Sequence, residues 1–180
     1  PDKRDFVLEE IMGAPVSVDW NKGYDIEEVM GRELPSKSQG RSSSCVGNAW
    51  SYYSEVLGYL ETKYFRRQSA RFIYSQIYQP QGGAYLRDGG QILTNQGEVP
   101  EVLVPDAKTE AEMRFNGDIT PDIKQMAKVY LKGNYALIRA ISIDNLASII
   151  QQNYGFVAGV ADDFRPENWT GEIVKPGKAR

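Results

Sequence analysis

Histidine is absent from the 180 residues of this chain, and cysteine occurs only once, as Cys45. Without a histidine, the chain cannot assemble a Ser-His-Asp triad from its own residues. The Cys and His ligands of a structural zinc site are missing as well, so we expect no metal and no cofactor. One cysteine also excludes a disulfide within the chain, which slightly favours a reducing compartment such as the cytoplasm.

Long apolar runs and an excess of positive charge are missing too. No apolar run approaches the roughly 18 residues that a membrane-spanning helix needs, and the N-terminal PDKRDFVLEE has no apolar signal core. Lysine and arginine total 21 against 24 aspartates and glutamates, so the charge indicates no surface for a nucleic-acid backbone. We therefore expect neither a membrane nor a nucleic acid as a partner, and the oligomeric state stays open.

The only cysteine lies in the stretch QGRSSSCVGNAW, where a helical pattern begins. From this residue onward, apolar side chains recur on one face of a helix. They are Cys45, Ala49, Tyr52, Tyr53, Val56, Leu57, Leu60 and Tyr64. Ser43 or Ser44 is the natural N-cap. Cys45 therefore lies in the first turn, where unpaired backbone amides and the helix dipole favour a thiolate over a thiol.

The first half of the chain reads as mainly helical around this long helix. A short strand over Ala14–Trp20 precedes it, and a shorter helix capped by Ser69 follows it. A loop rich in turn-forming residues, Gln79–Gly90, then leads to a helix through Ile92 and Leu93. We place the mainly helical region at residues 18–105.

The second half of the chain combines strands with helices. Thr120 caps a helix that begins at Pro121 and ends at Gly133. Three further elements are predicted: a strand at Tyr135–Ile143, a helix from Asp144 to Gly155, and a strand at Phe156–Asp162. We place a β-rich region at residues 106–180 and expect residues 1–180 to form a single domain.

Several segments, in order along the chain, resemble the papain-like cysteine peptidases. They are VDW at Val18–Trp20, PSKSQGRSSSC at 35–45, the long helix, RDGG at Arg87–Gly90, and NYGFVAGVADDF at 153–164. Gln39 lies six residues before Cys45, the spacing that this family has between its glutamine and its nucleophile. The resemblance implies an α+β, papain-like fold of two lobes. A helical left lobe contains the long central helix, and the right lobe is an antiparallel β structure of which this chain holds part.

The resemblance also implies a reaction, the hydrolysis of peptide bonds by a cysteine peptidase. Cys45 would be the nucleophile that attacks the scissile carbonyl and forms an acyl-enzyme. Gln39 would place its side-chain amide beside the Cys45 backbone N–H, and the two donors would hold the developing oxyanion. The partner implied is a peptide or protein substrate.

The same resemblance implies four substrate-binding residues. Gly89 and Gly90 would line the cleft, because an extended peptide can lie against a backbone that has no side chains. Ser43 and Val160 would flank the pocket for the side chain two residues before the cut. All four positions follow from the resemblance alone.

The chain departs from the family in ways that matter for catalysis. Val46 follows the cysteine where the family has tryptophan, and Ser42 and Arg87 occupy positions where the family often has a disulfide pair. Both partners are absent together, which indicates a disulfide-free version. The family's His and Asn lie about 130–150 residues after the cysteine, which here means roughly positions 175–195. We therefore expect the chain to stop just before its catalytic histidine, beyond Arg180, with an incomplete right lobe.

Two other functions are compatible with these residues. A catalytically inactive papain-like fold could serve as a module that binds a peptide or partner, or as a structural module. An amidase or transpeptidase acting on cell-wall peptides would use the same cysteine and histidine. A histidine after Arg180 separates the peptidase from the inactive module, and substrate assays separate the two enzymes.

Overall fold

The structure is a computed structural model that describes residues 6–12, 18–19, 23–139 and 141–159. The helices there are α1 (Leu8–Met12), α2 (Ile26–Met30), α3 (Cys45–Thr62), α4 (Ala70–Tyr74), α5 (Leu86–Asn95), α6 (Glu110–Arg114), α7 (Pro121–Ala127) and α8 (Ile143–Asn153). A 3-10 turn covers Lys128–Tyr130, and the strands are β1 (Phe6–Val7) and β2 (Ala136–Leu137). Helices dominate, and two short strands form a small sheet beside them, which is consistent with the α+β class.

The long helix α3 begins at Cys45, as predicted, with Ser44 as its N-cap residue. The predicted apolar stripe is wrong as the buried face, because only Val56 of its members is buried. The buried residues of α3 are Val46, Gly47, Ser51, Ser54, Glu55 and Val56. The helix ends at Thr62, where Lys63 takes a left-handed conformation and donates its backbone N–H to the carbonyl of Tyr59 at 2.7 Å. Its inner face packs against α4 and α5. The helix is therefore central to the described part of the chain, and Cys45 lies at its N-terminal end.

The main hydrophobic core lies between α4, α5 and the segments that follow α5. Its buried members are Phe72, Ile73, Ile92, Leu93, Val99, Val104, Ile119 and Ala127. Ser69 caps α4 as predicted, since its hydroxyl accepts a hydrogen bond from the Phe72 amide at 2.9 Å. Trp50 of α3 packs against the edge of this core. The short helix α4 is buried along its whole length, so it links α3 to the core.

The loop predicted over Gln79–Gly90 is wrong at its second end, because α5 begins at Leu86 and contains Gly89 and Gly90. A Cβ on Gly89 would lie 2.4 Å from Cδ1 of Trp50, and one on Gly90 would lie 3.0 Å from Cγ of Tyr135. The Trp50 indole N–H also donates to the Leu86 carbonyl at 2.7 Å. The two glycines therefore allow α5 to approach α3 closely, at the cost of their weak helix propensity.

The later helices follow the predicted caps only in part. Thr120 caps α7 and Pro121 occupies its first turn, as predicted. The helix ends before Gly133, because the chain turns back so that the Lys132 amide donates to the Leu93 carbonyl at 3.0 Å. Helix α8 begins at Ile143, and its cap lies two residues earlier than expected.

The cap of α8 is Ser142 and not Asp144. The Ser142 hydroxyl accepts a hydrogen bond from the Asn145 amide at 3.2 Å. At the other end, Tyr154 takes a left-handed conformation, and the predicted stop at Gly155 is close to the observed end at Asn153.

The antiparallel sheet expected in the second half is not what the described residues form. The strand predicted at Tyr135–Ile143 shortens to Ala136–Leu137, and it pairs in parallel with Phe6–Val7. Its alternation is interrupted because α8 already begins at Ile143. Residues 156–159 are not in a strand, and the remainder of Phe156–Asp162 lies outside the described residues.

Two further expectations of the sequence are untested. Of the strand predicted at Ala14–Trp20, only residues 18–19 are described, and they are not in a strand. The division into lobes at residues 18–105 and 106–180 stays a prediction. Among the helices of the described residues, none has both the length and the apolar character that crossing a bilayer requires.

Two glycines inside helices offer a matched test of the α3–α5 packing. Gly89→Ala should lower the free energy of unfolding by about 1–3 kcal/mol, because the added methyl group must displace the Trp50 ring. Gly58→Ala in α3 should raise it by about 0.5–1 kcal/mol, because a Cβ there meets only the Lys132 ammonium at 3.9 Å. Urea unfolding of the two variants measures both. A stable Gly89→Ala variant would show that the approach is looser than described.

Candidate active site

Residues 39–44, which lead into Cys45, are called the cysteine loop here. The Arg41 backbone N–H donates to the Lys108 carbonyl at 2.7 Å, and Arg41 forms a parallel bridge with Thr109. Gly40 has a φ of 62°, and a Cβ there would lie 2.5 Å from the Lys108 carbonyl oxygen. Glycine is therefore required at this position, and the loop is docked against the segment before α6.

Cys45 is exposed and is the first residue of α3. Its Sγ lies 3.9 Å from the Ser43 carbonyl oxygen. The Ser44 side chain makes no capping hydrogen bond to α3. Its hydroxyl lies 2.6 Å from the Ser42 hydroxyl and accepts a hydrogen bond from the side-chain Nδ2 of Asn48 at 3.0 Å. The Ser44 hydroxyl therefore accepts no hydrogen bond from the first backbone N–H groups of α3, which are next to the thiol.

Gln39 is half-buried and folds back onto the cysteine loop. Its side-chain Nε2 donates to the Ser42 carbonyl at 2.9 Å, and the Ser42 hydroxyl donates to the Gln39 carbonyl at 2.7 Å. A primary amide carries two N–H donors, and the bond to Ser42 uses one of them. The sequence spacing thus brings Gln39 and Cys45 to the two ends of one short, braced loop.

Gly82 and Gly83, which the sequence did not indicate as site residues, lie beside this loop. Gly82 and Gly83 have φ values of 97° and 74° and form a turn closed by the Gly82 amide on the Gln79 carbonyl at 2.9 Å. A Cβ on Gly82 would lie 3.1 Å from the Ser43 hydroxyl oxygen. The signal was the run PQGG just before an amphipathic helix. Positive φ explains glycine there, whereas RDGG belongs to the helix itself.

The other substrate-binding residues expected from the resemblance lie in different surroundings. Gly89 and Gly90 are buried, and the Gly89 amide donates to the Tyr85 carbonyl at 3.4 Å within α5. Ser43 is exposed in the cysteine loop. Val160 lies outside the described residues. Their roles in binding substrate stay predictions, and for the two glycines the packing against Trp50 is sufficient reason for the residue type.

A buried ionic network below the cysteine loop was not visible in the sequence. The Lys37 ammonium lies 3.0 Å from the Glu55 carboxylate and donates to the Ser51 hydroxyl at 3.0 Å and the Gln68 carbonyl at 2.5 Å. The Glu55 side chain is 0% exposed, and it also pairs with Arg67 at 3.0 Å. Glu55 lies off the apolar stripe predicted for α3, on the face that the structure buries with Ser51 and Ser54, so no local pattern indicated that it has a partner.

A second charged group holds the cysteine loop from the side. The Glu110 carboxylate accepts hydrogen bonds from the Ser43 backbone N–H, the Tyr74 hydroxyl and the Arg114 guanidinium, each at 2.6 Å. Burial alone would raise the pKa of Glu110, but these hydrogen bonds outweigh it and hold the pKa below its usual value. The carboxylate is therefore ionised at neutral pH and available as a triple acceptor.

Metal ligands do not cluster in the described part of the chain. No group of three or more His, Cys, Asp or Glu side chains there is arranged to hold a metal ion.

Comparison with known proteins finds a likeness among solved structures. No family model matches the sequence, and no curated protein does either. A solved structure of xylellain, a cysteine protease from Xylella fastidiosa, matches with 20% identity and a TM-score of 0.57. The chain has the fold of this cysteine protease. The match covers 83% of this chain and 59% of that chain, so the present sequence spans less than two thirds of xylellain. At this identity the likeness shows the fold alone.

Removing the Lys37 ammonium should destabilise the protein, because Glu55 would lose one of its two cations while staying buried. We expect Lys37→Met to lower the free energy of unfolding by about 3 kcal/mol. The double variant Lys37→Met/Glu55→Gln should recover part of this loss, because Glu55 is then no longer a buried carboxylate short of a partner. The recovery stays partial, because Asp106 still loses its ion pair with Lys37 at 3.5 Å. Chemical unfolding of the two variants beside the wild type measures both effects. A single variant as stable as the wild type would contradict the network.

Proposed function

We propose that this chain carries the nucleophile of a cysteine peptidase and that Cys45 is that nucleophile. The observation that carries the proposal is an exposed thiol on the first residue of the central helix, with Gln39 folded onto the same loop. The fold shared with a cysteine protease supports it. A cysteine that served only as a small core residue would be buried, and this one is not.

The chemistry proposed for these residues is acyl transfer. The Cys45 sulfur attacks the scissile carbonyl carbon after its proton passes to a base. The resulting oxyanion accepts hydrogen bonds from the Cys45 backbone N–H and from Gln39 Nε2. The C–N bond then breaks as the leaving amine takes the proton, and a thioester remains on Cys45. Water hydrolyses the thioester, which releases the acid and restores the thiol.

The geometry at the start of α3 favours this assignment of the oxyanion donors. Because the Ser44 hydroxyl turns to Ser42 and Asn48, it does not cover the amides of the first turn. Gln39 has a second amide hydrogen besides the one donated to Ser42. Two donors can therefore converge beside the sulfur when a carbonyl enters.

The rim of the cleft is proposed to include the turn at Gly82 and Gly83. This turn is packed against Ser43, and its two glycines have no side chains that would cover an approaching peptide backbone. Gly89 and Gly90, which the resemblance suggested for this purpose, are inside α5 and covered by Trp50.

The proposal requires a base that these 180 residues do not include as a histidine. The resemblance to papain-like peptidases leads us to expect it about 130–150 residues after Cys45. Sequencing the coding region past Arg180 tests this requirement. A histidine codon in that window, followed by an asparagine, is the expected result. A stop codon directly after Arg180 would leave Cys45 without such a base in its own chain and would favour an inactive binding module.

Variants of the site distinguish two possible roles of Gln39, as a donor to the oxyanion or as a residue that stabilises the cysteine loop. In protein expressed from its own gene, Cys45→Ala should abolish turnover of a fluorogenic peptide while the fold survives. Gln39→Ala should lower kcat by about 10²–10³-fold through loss of one oxyanion donor. Ser42→Ala is the matched control, because it removes the hydroxyl that braces Gln39 and leaves the Gln39 amide in place.

The comparison of the two loop variants decides the role of Gln39. If Ser42→Ala lowers kcat as much as Gln39→Ala does, then Gln39 acts by holding the loop and the oxyanion assignment is wrong. A wild-type protein that binds the peptide without cleaving it would contradict the peptidase proposal and support the binding module. Transfer of the acyl group to an added amine in place of water would indicate a transpeptidase.

A further inference from the structure

We propose that Glu110 is a positioning residue that fixes the cysteine loop through the backbone of Ser43. This inference rests on the proposed function of Cys45. The Glu110 carboxylate, on the first residue of α6, reaches the loop across a sequence separation of 67 residues. Its Oε2 accepts the Ser43 backbone N–H at 2.6 Å. A backbone contact of this kind acts on the loop's path, whatever side chain occupies position 43.

The carboxylate is itself held by two further side chains, one from α4 and one from its own helix α6. Its Oε1 accepts from the Tyr74 hydroxyl of α4 and from the Arg114 Nε of α6, each at 2.6 Å. Tyr74 is 0% exposed, so its ring is fixed in the interior. Three segments that are distant in sequence therefore meet at one carboxylate, and one of them is the exposed loop that leads to Cys45.

Only a carboxylate satisfies this arrangement. Ser43, Tyr74 and Arg114 all present donors, and the Ser43 amide and the Arg114 Nε–H cannot act as acceptors. A glutamine at position 110 has one acceptor oxygen, so its NH₂ group would face either the Ser43 amide or the Arg114 guanidinium. The oxygen keeps two hydrogen bonds where Tyr74 and Arg114 donate to it, and only one if it faces Ser43. The bond to the Ser43 amide is therefore the one that we expect to be lost. An aspartate is shorter by one methylene and does not span the same distance.

The same contacts reach both sides of the proposed cleft. Ser43 contributes the carbonyl that lies 3.9 Å from the Cys45 sulfur. Arg114, which pairs with Glu110, also donates to the Gln79 carbonyl at 3.4 Å and lies over the Tyr78 ring at 4.9 Å. Gln79 closes the turn that contains Gly82 and Gly83. A shift of Glu110 would therefore move the nucleophile's loop and the rim turn relative to each other.

Three variants test this role. Glu110→Gln removes the proposed positioning contact. Glu112→Gln makes the same charge change on the same helix, and glutamine still fits the capping box that Glu112 forms with Thr109. Tyr74→Phe removes a hydrogen bond from the same carboxylate and lowers stability, but it leaves the bond between Glu110 and Ser43 in place. Each variant is measured for kcat, KM, thermal stability and hydrogen exchange of the backbone amides at 41–46.

We expect Glu110→Gln to lower kcat by about 10- to 100-fold with KM changed by less than about twofold. The Ser43 amide should exchange faster in this variant alone. Glu112→Gln and Tyr74→Phe should retain both the kcat and the exchange rate of the wild type. An equal loss of kcat in Tyr74→Phe at equal thermal stability would show a merely structural role and overturn the inference.

Failure of the proposed function gives a different pattern. If the wild type has no turnover, the peptidase assignment fails, and the exchange of the Ser43 amide decides about Glu110. Faster exchange in Glu110→Gln and not in the two controls supports the positioning contact. Unchanged exchange in Glu110→Gln overturns it, whatever the activity.

Discussion

The Glu55 carboxylate is fully buried in the middle of α3, and the arrangement around Cys45 depends on how that charge is compensated. Lys37 and Arg67 supply two cations, and the Gln68 amide donates a hydrogen bond at 2.9 Å. Burying an unpaired carboxylate would cost several kcal/mol, so α3 can occupy this place only with the segment before the cysteine loop and the segment before α4 bound to it. The N-terminal end of α3 is fixed as a result.

Two anchors then determine the path of the cysteine loop. Just before the loop begins, the Lys37 ammonium binds the Glu55 carboxylate of α3. Near the end of the loop, the Ser43 backbone N–H donates to the Glu110 carboxylate. Between them, Gln39 and Ser42 brace each other through their side chains and carbonyls. The Cys45 thiol is left exposed at the end of a loop that has little freedom. Preorganisation of this kind is what a nucleophile requires, because misplacement of the reacting atom is costly in rate.

The features of the fold and the site that the sequence could predict depend on residues close together in the chain. The start of α3 at Cys45, the caps at Ser69 and Thr120, and the spacing from Gln39 to Cys45 are all encoded within a few residues. Contacts between distant segments were not predictable. Glycines at 89 and 90 looked like a loop until Trp50 was seen to pack on them, and Phe6 pairs with Ala136 across most of the described chain. Glu110 carried no pattern that connects it with Ser43.

The most direct test of the account is to trap the acyl group on Cys45. The protein is mixed with a nitrophenyl ester of an L-peptide, and with the mirror-image D-peptide ester, and intact mass with fragment mapping locates the adduct. The account predicts a thioester on Cys45 from the L-peptide, much less from the D-peptide, and none in Cys45→Ala. Equal labelling by the two enantiomers would indicate an exposed thiol without a substrate cleft. No adduct on Cys45 would contradict its role as a nucleophile.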